Sequence, residues 1–461
     1  MKAILDELPE SLDGTYERVL RNINKANRDH AFRLLQCVTV AVRPLRVEEL
    51  AEVLAVDFDA TRNGGMPNVK PDWRWPDQHQ AVLSTCSSLI AIVDDGHYQV
   101  VQFSHFSVKE FLTSDRLACS CGDVSRYHIL LSPAHLVLAQ ACLGVLLRLD
   151  KHLTKDGASD IPLARYAAQH WVYHAQFEDV SSHLQDVMVY FFDADKPHWA
   201  AWHRVHDIDE YWWGFNSNSV TRRPPPLYYT ALCGFYDLTE HLVVKNPEHV
   251  NAVGGRMVTP LIAALRKRHF RVADLLHAHS SDIHARGIWG GTVLHGASCC
   301  GLVDMVQWLL GHGADVNARS VDDFTPLHLR WTHRYPEICR MLLEHNADIN
   351  ARDNFGKVPL HWVAMAEGVK DVLKTMQVLL DHGADPNVRD DDGCTPLHDS
   401  SWWNKESYIG RGTVERSRML LDHGANIDAE NNEGKTPLQL ALEKGRHEMV
   451  EFLLGRGASH K

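Results

Sequence analysis

This 461-residue chain has little that would commit it to a membrane, an oxidising compartment or a known chemistry. Its first residues, MKAILDELPESL, contain no apolar h-region, so no secretory signal is read there. The longest apolar stretch, Ala134 to Leu149, is broken by His135, Gln140 and Arg148 and is too short for a membrane span. There is no Asn-x-Ser/Thr sequon. The ten cysteines are scattered without a CxxC pair, which indicates neither a disulfide framework nor a zinc ribbon. These absences fit a reduced compartment, cytoplasmic or nuclear. The formal charge is −12, from 59 acidic and 47 basic residues, and no long Lys/Arg run occurs. A nucleic-acid partner is therefore not expected.

Catalytic signatures are missing too. The sequence has no G-x-x-x-x-G-K-S/T phosphate loop, no G-x-S-x-G elbow and no H-E-x-x-H pair. Asp390-Asp391-Asp392-Gly393 hints at calcium but lacks the alternating ligands and distal Glu of an EF-hand. His170 and His174, an i,i+4 pair, read as helix packing or as two metal ligands without a third. Adjacent Cys299 and Cys300 read as inert or as redox-active. On this basis the chain is not expected to be an enzyme, and no cofactor, metal, catalytic residue or small-molecule substrate is expected.

What the sequence does have is a period. Thr259-Pro260-Leu261, Thr292-Val293-Leu294-His295, Thr325-Pro326-Leu327-His328, Val358-Pro359-Leu360-His361, Thr395-Pro396-Leu397-His398 and Thr436-Pro437-Leu438-Gln439 line up, with Pro226-Leu227 as a weaker first copy. Successive leucines are 34, 33, 33, 33, 37 and 41 residues apart. Leu-Leu pairs follow at 309–310, 342–343, 379–380, 420–421 and 453–454. Then come HGADVNA from His312, HNADINA from His345, HGADPNV from His382 and HGANIDA from His423. Thr is a good helix cap, Pro suits the first helical position, and Gly313, Gly383 and Gly424 suit a left-handed helix end. Asn346 replaces that glycine once and Ser280 once, the latter predicting a weaker cap. Eight of the thirty histidines belong to this consensus.

These motifs closely resemble the ankyrin-repeat family, with seven repeats near 226–258, 259–291, 292–324, 325–357, 358–394, 395–435 and 436–461. Insertions of four and eight residues in the fifth and sixth repeats are expected between their helices, at 367–375 and 402–415. With no polar capping repeat after the seventh, either fraying of its last helix or a missing continuation is expected.

The front of the chain reads differently. Thr15–Ala26, Asp29–Val40, Val47–Val56 and Asp77–Ser87 predict helices. Leu89–Val93 and Tyr98–Phe103 predict a hairpin around Asp94-Asp95-Gly96, and His105–Ser114 a further helix with Ser107 and Glu110 at capping-box spacing. Helices followed by a hairpin is winged-helix order. LPESLDGTYERVL (8–20), RPLRVEELAEVLAV (43–56) and HFSVKEFL (105–112) resemble the winged-helix segment of fungal NACHT–ankyrin proteins, NLR-like signal-transduction ATPases. The same segment type is named after GPI inositol-deacylase. Arg46 stands where a Thr cap is common. The candidate third helix has no Lys or Arg, which argues against reading a DNA groove. Residues 120–215 predict a helical spacer. Aromatics crowd Phe191–Trp213, either as core against the first repeat or as a sensing surface. Arg222-Arg223-Pro224-Pro225-Pro226 predicts a stiff joint.

The expected architecture is mostly α: a winged-helix-like domain with a small hairpin (1–118), a helical spacer (119–225) and an ankyrin α-solenoid (226–461). The resemblance implies a non-enzymatic scaffold or recognition arm of an NLR-like protein, binding a protein through the ankyrin concave surface. Its alternative is the C-terminal part of an ATP-driven NACHT switch whose ATPase is absent from this sequence. Ankyrin stacks bind through variable turn fingertips and first-helix ends. Here the fingertips offer Ile288, Trp289, Phe324, Asn354, Phe355, Asp391, Asp392 and Asn432; the helix ends offer Arg266, Lys267, Cys299, Cys300, Thr332, His333, Trp402 and Trp403. Trp402 and Trp403 read equally as anchors of their own inserted loop. Trp331 and Trp362, earlier on their helices, are expected to pack between repeats.

Overall fold

The structure is a computed structural model. It describes residues 12–62, 65–86, 88–120, 122–149, 161–209, 224–255, 258–287, 290–328, 334–366, 370–402 and 413–459. The chain divides into two compact units. The first comprises residues 1–210 with Cys233–Lys245; the second comprises 211–232 with 246–461.

The first unit opens with α1 (Leu12–Arg21), α2 (Arg28–Val40) and α3 (Val47–Leu54), followed by α4 (Gln78–Cys86). The predicted hairpin is present as β4 (Ile90–Asp94) and β5 (Gln99–Phe103), in register Ile92↔Val101. Gly96 takes φ 79°, and the Asp95 amide donates to the Tyr98 carbonyl at 2.9 Å, closing the turn. A third strand was not foreseen: β1 (Leu45–Arg46) pairs along β5, giving the order β1-β5-β4. Two residues are too few to display an alternating pattern, so this strand exists only through its partner. A separate pair, β2 (Val56–Asp57) and β3 (Asn68–Val69), is equally short.

Two predicted caps differ in detail. The helix α5 (Phe106–Leu112) is capped by His105, whose Nδ1 accepts the Ser107 amide, so Ser107 is inside the helix and not its cap. Ser107 Oγ instead links His105 Nδ1 (2.6 Å) to the Tyr16 hydroxyl (2.8 Å). At α3, Arg46 offers no acceptor; the Glu49 carboxylate takes the Arg46 amide (2.8 Å) while binding the Arg43 guanidinium through both oxygens (2.6 and 2.7 Å).

The spacer supplies the densest core. It contains α6 (Leu131–Leu146), α7 (Ala164–Ala175), α8 (Gln185–Phe191) and α9 (His198–Val205). Trp171 is fully buried, with its ring centroid 5.5 Å from those of Phe191, Trp202 and Phe235. Phe235 precedes α11 (Tyr236–Lys245), the second helix of the first repeat, which belongs to this unit. The aromatics of 191–202 are therefore core; 210–213 lie outside the described residues.

In the second unit the repeats are built from helical pairs. The first repeat's α10 starts at Pro226 (Pro226–Cys233). Then follow α12 (Pro260–Arg266) with α13 (Phe270–Ala278), and α14 (Val293–Cys299) with α15 (Val303–Gly311). In the fourth repeat, Thr325–His328 is a turn, residues 329–333 are outside the description, and α16 is Pro336–Glu344. The remaining pairs are α17 (Pro359–Met365) and α18 (Lys370–Asp381), α19 (Pro396–Trp402) and α20 (Thr413–Asp422), and α21 (Pro437–Glu443) and α22 (His447–Gly455). Leu261, Leu294, Leu327, Leu360, Leu397 and Leu438 are all buried, as are the first leucines of the later pairs. The fifth-repeat insertion is not a plain loop: from Lys370 on, it lengthens α18 to twelve residues against nine in α15. The sixth-repeat insertion lies mostly outside the described residues. Ser280 adopts φ 65° and makes the same closing bonds as glycine repeats, with the Ser281 amide donating to the Leu276 carbonyl (3.1 Å). The cap thus forms, at the steric cost of a Cβ in the left-handed region. The final helix closes in the same way. Gly457 takes φ 93°, and the Ala458 amide reaches the Leu453 carbonyl at 3.0 Å.

Candidate protein-binding site

The frame that presents the fingertips is stitched by histidine. His295 Nδ1 accepts the amide of Thr292, three residues back (3.0 Å), and its Nε2–H donates to the Phe324 carbonyl of the next turn (3.0 Å). The pattern recurs at His328 (Thr325, then Lys357), His361 (Val358, then Cys394) and His398 (Thr395, then Lys435). One nitrogen must accept and the other donate, so each ring is neutral with its proton on Nε2. Burial lowers the pKa of all four, that of His361 to about 4. In the last repeat Gln439 takes the accepting role, completing a reciprocal Thr-x-x-Gln box with Thr436 (2.9 and 3.3 Å).

A second ladder, missed by the sequence reading, steps by 33, 33 and 37 residues. Arg286 Nη1 donates to the Arg319 carbonyl, Arg319 to that of Arg352 (2.7 Å), and Arg352 to that of Arg389 (3.0 Å). Two of the turns are closed by an aspartate: Asp353 Oδ1 accepts the Phe355 and Lys357 amides, and Asp390 Oδ1 those of Asp392 and Cys394. This is the work of Asp390, rather than calcium ligation.

On this frame the predicted contact residues fall as follows. Phe355, Asp391 and Asp392 are exposed; Phe324, Arg266, Lys267 and Trp402 are half-buried. Ile288, Trp289, Thr332, His333 and Trp403 lie outside the described residues, as does Trp331. Phe324 meets Trp362 edge to face at 5.3 Å. Trp362 is only half-buried, its indole fixed by Asp353 Oδ2 (2.7 Å), so it joins Phe324 in one aromatic patch. The Trp402 indole donates to Asp399 Oδ1 (3.3 Å), and Lys444 stands 5.9 Å from its ring.

Beside these rings is a charged cluster that the sequence reading missed. Lys357 Nζ lies 2.6 Å from Asp390 Oδ2 and 2.8 Å from Asp399 Oδ2, whose side chains are almost wholly buried. Residues 33 and 42 positions apart meet here, which no local pattern reveals. Burial lifts the Asp399 pKa to about 6, opposed by Lys357. Burial works against the Lys357 charge, but Asp399 and the two carboxylate hydrogen bonds outweigh it and raise its pKa. His361, Asp390 and Asp399 are close enough to share a cation. Both His361 nitrogens are engaged, however, and the lysine ammonium already bridges the carboxylates.

The first unit contains its own buried polar chain. The Val42 amide donates to the Tyr166 hydroxyl (3.2 Å), which donates to His174 Nε2 (2.9 Å). His174 therefore carries its proton on Nδ1 and gives it to His135 Nδ1 (2.9 Å). Burial lowers His135 to about 4, with Lys109 adding to the effect, and His174 to about 3, with His135 and His170 adding to it. With both His174 nitrogens occupied, the His170–His174 pair is packing: His170 rests on the Tyr166 ring at 4.8 Å. A cleft of about 410 Å³ in the same unit is lined by Arg46, Arg165, Glu48, Glu49 and Tyr98; its like numbers of opposite charges favour no ligand class. Cys299 and Cys300 are half-buried, and burial raises the Cys299 thiol to about 12, which keeps it protonated and unreactive.

A stack of paired helices locked by ladders, with variable side chains at its turns, is a repeat solenoid. Residues 227–461, just over half the chain, match the family described as ankyrin repeats, and the chain belongs to that family. Residues 17–122 match the family described as "GPI inositol-deacylase, winged helix domain". The chain is 29% identical over 301 residues to azaphilone pigments biosynthesis cluster protein L of Monascus ruber, an alignment covering 60% of this chain and 61% of that protein. Shorter stretches resemble alpha-latrocrustotoxin-Lt1a of Latrodectus tredecimguttatus (34% over 74 residues, 16% of this chain and 5% of the toxin) and the ankyrin repeat and SAM domain-containing protein 6 of Mus musculus (30% over 90 residues, 19% and 10%). The chain thus spans about three fifths, at most, of these relatives' own lengths. No helix among the described residues is long and apolar enough to cross a membrane.

Proposed function

We propose that the chain is a non-enzymatic recognition arm of an NLR-like protein and binds a protein partner through the fingertips and inner helix ends of repeats three to six. The observation that carries this reading is the pairing of rigidity with variability. Side-chain-to-backbone ladders hold the turns through their main chain, leaving the side chains of Phe324, Phe355, Trp362, Asp391 and Asp392 to differ from repeat to repeat. Aromatics on a pre-organised surface are the usual anchors of an interface. Phe355 is 57% exposed and the two aspartates are also exposed, so their replacement spares the fold. The test uses the full chain, because a 226–461 piece would take α11 away from the unit it packs in. Partners recovered by the wild type should be lost from the Phe355→Ala, Asp391→Asn, Asp392→Asn variant; equal recovery sinks the reading.

A second reading, the C-terminal part of an ATP-dependent NACHT switch, is favoured by the winged-helix match ahead of the repeats. Sequencing the transcript upstream of Met1 tests it: an in-frame phosphate loop supports it, and a stop codon without one removes it.

A further inference from the structure

One corner of the first unit holds two shielded donors that no described residue satisfies. Arg28 opens α2, and its side chain is 15% exposed. Its Nη1 donates to Asp123 Oδ2 (2.6 Å), but its Nε is cut off from solvent and has no acceptor. The Tyr127 hydroxyl is in the same state, on a residue that is 1% exposed. Buried donors are rarely left so. Tyr127 ends the short turn Ser125–Tyr127 and meets Phe32 edge-on, with ring centroids 6.2 Å apart. Phe32 lies four residues after Arg28, on the same face of α2. Burial raises the Tyr127 pKa, Arg28 and Arg126 oppose that, and Asp29 and Asp123 add to it, so these are the charges around its hydroxyl. Arg126 and Lys25 are exposed and both act on Asp123. Neither comes within ion-pair distance of a carboxylate among the described residues. The corner also lies at the start of a thirteen-residue helix, an end that favours negative charge.

We propose that this corner binds a single phosphate group, which displaces the Asp123 carboxylate from Arg28. Donor number decides between anions. Arg28, Arg126, Lys25 and the Tyr127 hydroxyl offer more N–H and O–H groups than two carboxylate oxygens can take, and Asp123 engages one of them. A phosphate monoester brings three strong acceptor oxygens and a charge of roughly −2. Three cations on a chain of net charge −12 are too few for a polyanion, which sets nucleic acid aside. Asp123 is free to give way: its side chain is 67% exposed, and it follows Gly122, whose φ is 84°. The phosphate oxygens then meet Arg28 and the Tyr127 hydroxyl from inside, and Arg126 and Lys25 from the solvent side. The corner uses none of the fingertip residues, so it stands or falls separately from the proposed partner site.

Isothermal titration of the full chain with inorganic phosphate, at constant ionic strength and up to about 10 mM, tests this. Saturable binding at one site is expected. Tyr127→Phe deletes only the orphaned hydroxyl, so thermal unfolding should show a fold no less stable than the wild type, while phosphate affinity falls about tenfold. Arg126→Gln, at an exposed side chain, should weaken binding by a similar factor. Asp123→Asn removes the rival carboxylate and should tighten it. A second arm uses the blocked amide of phosphoserine. Tighter binding than inorganic phosphate marks a phosphorylated side chain as the source, and equal or weaker binding marks free phosphate. No saturable binding, binding that both Tyr127→Phe and Arg126→Gln leave unchanged, or acetate binding as tightly as phosphate overturns the proposal.

Discussion

The two units reach buried polar contacts by opposite routes. In the repeats, each contact recurs at a separation of about one repeat: 29 residues from His295 to Phe324 and from His328 to Lys357, 33 from Arg319 to Arg352. In the first unit the Val42–Tyr166–His174–His135 chain joins positions 124, 8 and 39 residues apart, once only. A repeat array is stabilised by nearest neighbours, so damage stays near its source. A core assembled from distant segments has no such containment.

The largest test of that contrast is Lys357→Met. It leaves Asp390 and Asp399 facing each other without the ammonium, and breaking a buried pair from one side costs about 3–5 kcal/mol. Urea titration should show the repeats losing that much while the first unit's transition stays in place; a shift shared by both units would break the comparison.

Next comes acid. His135 and His174 are neutral in the folded first unit, with pKa values lowered to about 4 and about 3 from an unfolded value near 6.5. Below pH 6.5 the unfolded state takes up protons that the folded state refuses. Their contribution is therefore complete above pH 6.5 and declines as pH falls toward 4. Intrinsic fluorescence melts, to which the buried Trp171 and Trp202 of this unit contribute, should give a midpoint that is level above neutrality and drops between pH 6.5 and 4. A flat profile would mean that the histidine chain is not buried as described.

The smallest effect belongs to the cap. Ser280→Gly removes a Cβ from the left-handed region and should stabilise the second repeat by about 1 kcal/mol, read by thermal or urea unfolding. A loss of stability would show that the serine contributes something its glycine counterparts do not.

Much of the fold was legible because its causes are local. Thr-Pro-Leu-His starts, paired leucines and cap glycines act within a few residues, and the period of 33 announces that each unit stacks on the last. The hairpin was legible for the same reason, through Asp95-Gly96. The misses share an opposite cause. β1 is made by β5, the cap at α5 comes from His105 rather than the serine at consensus spacing, and α18 absorbs an insertion that looked like a loop. Of the proposed contact surface, Phe355, Asp391 and Asp392 were readable as turn residues. Trp362, expected to pack between repeats, rests on Phe324 of the third repeat and stays half-exposed, with Asp353 holding its indole there.

Sequence by itself determined the repeat period, the helix starts and the ankyrin character of residues 227–461, since short-range capping and packing rules repeat in it. Only the tertiary structure decided which charges meet, as at Lys357, Asp390 and Asp399, which histidine tautomers are held, and that the second helix of the first repeat belongs with the first unit. Those outcomes depend on which distant side chains share a buried volume, and burial is a property of the folded chain rather than of any short stretch of it.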